Sequence, residues 1–197
     1  NLPFSHSAAG VLGAFAVLFI LVYLLILAYG ILSYVLTSLG FYTMAKRRGI
    51  RNYGLAWVPV ANMWIIGSLA DQYDLAIKGR ETGYRRKLLT TSIISAAGAL
   101  LLFIAAFAGG IIAALSQDSS AAGGATAVGA LVLFLVLLVL EIVLYVFYYI
   151  ALYKVFMSCN PGTATTFLVL AIVINATLPF FVFADRNKDL GFPLRPA

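Results

Sequence analysis

Charge is scarce in this chain: Asp, Glu, Lys and Arg make up 10% of its 197 residues, while hydrophobic types make up 63%. With a mean hydropathy of +1.02, no soluble packing could bury that much apolar surface, so the surplus faces lipid. One cysteine, Cys159, and one histidine, His6, exclude a disulfide framework and any metal site that needs several Cys or His ligands. No basic stretch precedes the first apolar run, so no signal peptide is evident. There is no Gly-rich phosphate loop, no HExxH and no Gly-x-Ser-x-Gly. Glu141 has no second carboxylate at its depth, and His6 is remote from it, so catalysis by an acid/base pair or by a histidine-activated nucleophile is not expected. The expectation is a non-enzyme without a cofactor or a metal.

What the chain does contain is long apolar runs with basic clusters at their ends. The formal net charge of +6 therefore reads as a set of topology determinants and not as a nucleic-acid footprint. Three runs predict clean transmembrane helices, over residues 9–45, 88–116 and 125–157. The first ends at Lys46, Arg47, Arg48 and Arg51, which mark a cytoplasmic side, and it outreaches a hydrocarbon core of ~30 Å. The third ends at Lys154.

Two further apolar segments are broken. Residues 55–73 are interrupted by Pro59, Asn62 and Gly67, and basic clusters flank them on both sides, which predicts a re-entrant or interfacial helix. Residues 163–185 are broken by Asn175 and Pro179 and run into a basic tail, Arg186, Lys188 and Arg195. A crossing there would export those cations, whereas a hairpin would return them, and the hairpin is slightly favoured. The expected fold is thus a single all-α integral membrane domain over 1–197, three spans plus two segments that are re-entrant or a fourth and fifth span. The N-terminus is expected outside, the main basic loops in the cytoplasm, and the loop at 117–127, which carries one acid and no base, outside.

The two broken segments echo one another loosely. Each follows a long helix, carries Asn and Pro, and exits through an acid-containing stretch, Ala70-Asp71 to Asp74-Leu75 in the first and Ala184-Asp185 to Asp189-Leu190 in the second. Repeats of long and broken helices are familiar in transporters.

The stretch "RRGIRNYGLAWVPVANMWIIGSLAD" resembles a pattern, a basic turn then W-x-P-x-x-N-x-aromatic and Gly, of small bacterial multi-pass membrane proteins of uncharacterised function. The resemblance covers about residues 45–75 and implies a bacterial plasma membrane, with no role for individual residues. From the residues themselves, Pro59 suits a first helical turn, Trp57 and Trp64 suit an interface belt, and Asn62 needs a polar partner.

Intramembrane polarity concentrates in the basic-side halves of the helices. The candidate binding cluster is Glu141, Tyr145, Tyr148, Ser95, Thr91, Tyr34, Asn62 and Asn175, with Glu141, Tyr145 and Tyr148 expected on one helical face. These residues predict a bundle closed at its far side, with a cytoplasm-facing polar cavity and Glu141 at its deep end. A carboxyl at mid-bilayer costs roughly 2.5–3.5 kcal/mol on insertion scales, so it is expected to face the bundle and hydrogen-bond to hydroxyls. No basic residue lies at its depth, so an ion pair within the chain is not expected. Asp71, Asp74, Asp185 and Asp189 could gather round a divalent cation, but acids beside many Lys and Arg are usually solvated or paired. The basic clusters suit anionic lipid headgroups, and small-residue faces around Gly10, Gly13, Gly98 and Gly109 suit helix packing. Two functions follow: a membrane subunit that packs into a larger assembly or a homo-oligomer, or a small transporter or channel that uses the cavity and Glu141.

Overall fold

A computed structural model describes residues 4–80, 82–115 and 122–188. Within them the chain is a helical bundle with no strand. The long helices are α1 (Phe4–Arg47), α3 (Tyr84–Leu115) and α4 (Ala122–Cys159), and the short ones are α2 (Asn62–Lys78), α5 (Pro161–Val173) and α6 (Leu178–Asp185). Three helical segments are long and apolar enough to cross a membrane, Gly13–Arg47, Tyr84–Gly109 and Leu131–Cys159. At 44 residues, α1 extends to about 66 Å, well beyond one hydrocarbon core. Of the expected outer loop, residues 117–121 lie outside the described residues, as do Asp189 and Arg195, and residues 122–127 form the start of α4.

All three long helices have their basic ends together. Arg48, just after α1, donates from Nη2 to Ser158 Oγ at 2.8 Å near the end of α4. The start of α3 lies beside α4, with the Tyr84 and Phe147 rings in edge contact at 6.4 Å. The chain therefore runs down α1, up α3 and down α4 relative to that end.

Both broken segments leave this end and come back to it. After α1 the chain turns through Gly49 and Asn52, both at positive φ, which ends the helix. It then climbs back along α1: Tyr53 packs on Tyr42, and the Trp57 carbonyl accepts a hydrogen bond from the Tyr34 hydroxyl. The reversal is tight. The Ala61 N–H donates to the Pro59 carbonyl at 2.8 Å across Val60, whose φ is 68°, a strained γ-turn for a β-branched residue. Pro59 thus lies in the turn ahead of α2, which starts at Asn62, and not in a first helical turn. From there α2 descends until Asp74 reaches Lys154 of α4.

The second segment begins with Pro161 at the first position of α5, where its missing N–H is not needed. It breaks in a short 3-10 turn, Asn175–Thr177, and returns as α6. The Tyr29 hydroxyl donates to the Ala176 carbonyl at 2.6 Å, Gly40 sits against Val182, and Arg47 Nη1 donates to the Arg186 carbonyl at 3.4 Å. These three contacts show α6 running alongside α1 in the same direction. Each hairpin thus beds on the other unit's long helix: α2 packs along α4, and α6 along α1.

The core lies entirely at the basic end. Phe41, Met44, Ile65, Leu69, Leu88, Leu152, Phe156 and Val182 are all buried there. The far halves differ sharply. Every α1 side chain described upstream of Ser33 is exposed, and among the described residues α1 makes no sustained packing with α3 or α4.

Candidate functional site

Each aspartate described at the basic end points inward: Asp71, Asp74 and Asp185 are all buried. In a chain this poor in polar groups, a buried carboxylate persists only when donors meet it. Asp71 takes the first turn of α3. It accepts from the backbone N–H of Tyr84 at 2.8 Å and of Arg85 at 3.1 Å, orphan donors at a helix N-terminus. Gly67 makes this joint close, because α2 there crosses directly over the backbone of Arg85 and a Cβ would overlap it.

One turn on, Asp74 is tied to three elements. The Lys154 ammonium of α4 donates to its Oδ2, Thr82 Oγ1 donates to the same oxygen, and Lys78 Nζ lies 3.2 Å from Oδ1. Burial pushes the Asp74 carboxyl up, but the donations from Lys154, Thr82 and Lys78 outweigh it, and the group is held below its ordinary value. The Lys154 ammonium also sits 3.9 Å from the centroid of the Tyr84 ring, a cation–π contact. Held between a carboxylate and a ring, Lys154 is a joint between α2, α3 and α4. It is not presented as a nucleophile or a base.

The third aspartate, Asp185, ends α6, with Lys188 Nζ 3.0 Å from its Oδ1. Arg48 is buried, with Ser158 and Cys159 as contacts, while Gln72 Nε2 reaches the Arg48 carbonyl at 3.3 Å. Among the described residues no three His, Cys, Asp or Glu side chains converge as metal ligands. Asp71 and Asp74 share the Thr82 hydroxyl and are otherwise met by N–H groups and by lysines, whereas Asp185 has the Lys188 ion pair and no hydrogen bond among the described residues.

The eight expected site residues do not form one cluster. Ser95 Oγ donates to Glu141 Oε1, so those two meet between α3 and α4, about 20 Å up α4 from Lys154 at 1.5 Å per residue. Tyr148 lies on the same flank of α4 and is partly buried. Tyr145 does not share that face. It is 53% exposed, because the packed stripe on α4 runs through Leu137, Leu140, Glu141, Leu144 and Tyr148. Thr91 turns its hydroxyl back to the Lys87 carbonyl at 2.7 Å. Tyr34 serves the Trp57 turn on the other side of the molecule. Asn62 Oδ1 is buried without a hydrogen-bond partner among the described residues, and Asn175 is exposed beside the α6 turn.

The expected polar cavity is replaced by a packed apolar plug. Phe41, Ile65, Leu69, Leu152, Phe156 and Val182 are buried to within 1%, and they fill the basic end between the two hairpins. The far side, expected to be closed, is the splayed one. What sequence reasoning missed is the Asp74–Lys154 pair. The sequence signals one half of it: Lys154 stands among Tyr153, Val155 and Phe156, apolar flanks that foretell a buried ammonium but do not name its partner.

No family model, curated protein or solved structure matches the chain.

Proposed function

We propose that the chain is a non-enzymatic multi-pass membrane subunit, with a self-contained block at its basic, cytoplasmic end and far helix halves that pack against helices of a larger assembly. The observation that carries this reading is the lopsided burial. One end is a dense core in which the buried Asp74 and Asp185 are paired with lysines, while the described far parts of α1, α3 and α4 are exposed along most of their length, with side chains such as Phe19 (73%), Leu25 (70%) and Phe103 (69%) fully presented. Small-residue positions on those halves are open as well: a Cβ at Gly13 or Gly109 would meet nothing, whereas Gly98 is already filled by Leu137 of α4. Close helix approach in lipid uses such positions.

A transporter with a cytoplasm-facing polar cavity is the alternative. What favours the subunit over it is the apolar plug at the basic end and that, among the described residues, Glu141 meets one hydroxyl, that of Ser95. The basic end is assigned to the cytoplasm because its cations flank the apolar helices.

The test is photo-crosslinking from single positions in cells, followed by purification in mild detergent. Probes at Phe19, Leu25 and Phe103 are expected to give discrete heavier adducts, and probes at Ala76 and Ile77 of α2 none. A monodisperse lone protein with no adduct from the far halves overturns the reading. A reporter fused after Ala197 is expected to signal in the cytoplasm.

A further inference from the structure

The fold unites two basic clusters that lie far apart in the sequence. Lys46, Arg47 and Arg51 close α1, Arg186 and Lys188 follow α6, and the Arg47 to Arg186 carbonyl hydrogen bond stitches the two across 139 positions. Of these five cations, Lys188 alone pairs with a carboxylate among the described residues, and that carboxylate, Asp185, is buried beneath it. The other aspartates described at this end, Asp71 and Asp74, are turned inward at joints with α3 and α4. Among the described residues the seam is therefore a cationic surface whose neighbouring carboxylates have been taken inside, and its like charges repel with no described carboxylate on the outside to offset them.

We infer that this α1–α6 seam binds the headgroup of an anionic phospholipid. Depth argues for lipid. Phe180 of α6 is 48% exposed and Val35 of α1 37% exposed. Phe180 lies about 9 Å above Arg186 at helical rise, at the level of acyl chains when the cations are among headgroups. Trp57 and Tyr53, which pack on α1 through Tyr34 and Tyr42, are 37% and 39% exposed, as in an interfacial aromatic belt.

The cations are also held in place in advance. Lys46 Nζ lies 5.9 Å from the Tyr42 ring centroid and 6.0 Å from that of Tyr53. The Arg186 guanidinium stacks 3.4 Å from the Phe183 ring centroid and donates to the Phe183 carbonyl at 2.6 Å. Such anchoring lowers the ordering cost of binding a phosphate. The α3 N-terminus is not an alternative seat, since Asp71 already occupies its N–H groups. The inference is independent of the subunit reading, because it needs only the lone chain.

The experiment uses the purified full chain in nanodiscs of phosphatidylcholine, alone or with about one third phosphatidylglycerol. The readouts are thermal unfolding and lipid retention in native mass spectrometry. Phosphatidylglycerol is expected to raise the unfolding temperature and to be retained, and the gain is expected to fade with salt. The double variant Arg47→Gln/Arg186→Gln should weaken retention roughly thirtyfold, the attraction of two surface cations. The exposed pair Lys46→Gln/Arg51→Gln should do the same if the first variant does not fold. Arg80→Gln/Arg86→Gln, at the α2–α3 turn, should leave retention unchanged. Equal retention by all variants overturns the inference, and so does equal stabilisation by inorganic phosphate in phosphatidylcholine alone.

Discussion

The two ends of the same three helices hold together by different means. At the basic end, α2, α3 and α4 are joined by charge-assisted hydrogen bonds, a carboxylate cap and a glycine crossing, around a core in which Phe41 and Phe156 are fully buried. Midway along, α3 and α4 share Ser95–Glu141 and the Gly98–Leu137 contact, and beyond that level the described side chains of α1 are exposed. The difference teaches where cohesion comes from in lipid. An acyl chain solvates Leu as well as another Leu does, so apolar surface alone gives helices no reason to associate, and packing, small residues and polar joints decide.

The largest effect expected from breaking this contrast is at Lys154. Lys154→Met strands the buried Asp74 carboxylate and should cost about 3–5 kcal/mol in reversible unfolding from mixed micelles, with most of it recovered in Lys154→Met/Asp74→Leu. Acid probes the same pair. Because Asp74 is held below its ordinary value in the fold, its contribution is complete above that value and is lost as pH falls through the lowered one. The unfolding temperature should therefore drop below pH about 4, and Asp74→Asn should remove that component of the drop.

Next comes Gly67→Ala. The added Cβ meets the backbone of Arg85, which cannot move aside as a side chain can, so a loss of about 1–3 kcal/mol is expected. The matching change at mid-helix, Gly98→Ala, meets only the end of Leu137 and should cost clearly less in the same assay.

Glu141→Gln keeps a hydrogen-bonding group opposite Ser95 and should change stability by less than about 1 kcal/mol. The smallest effect is expected at Leu25→Ala, within about 0.5 kcal/mol for the isolated chain. A clear loss for the same change in the native assembly, read by its dissociation in detergent, would place a partner on that face.

Much of the fold was legible in the sequence, for reasons the residues make plain. Uninterrupted apolar length gave α1, α3 and α4, and Pro59, Asn175 and Pro179 marked where the two other segments break. The loose echo between those segments has a structural counterpart in two hairpins that both return to the basic end. The site was less legible. Glu141 and Ser95 do meet, but Tyr145 was placed on the wrong face, because which stripe of α4 is covered depends on where α3 crosses it. The polar cavity was inferred from hydroxyl-bearing residues, several of which spend their hydroxyls on their own helix, as Thr90 and Thr91 do on the carbonyls of Arg86 and Lys87. Asp74 and Lys154 stand 80 positions apart, and no local pattern brings them together.

The exchange of hairpins has a consequence for how the chain is made. During synthesis α1 and α2 leave the ribosome before α3 to α6, yet neither finds its main neighbour in the other. Asp74 waits for Lys154, 80 positions later, and the flank of α1 waits for α6, since Arg186 follows Arg47 by 139. Of the six described α-helices, the earliest made is thus the last to be fastened, and until α6 arrives that flank of α1 is open to other components of the membrane.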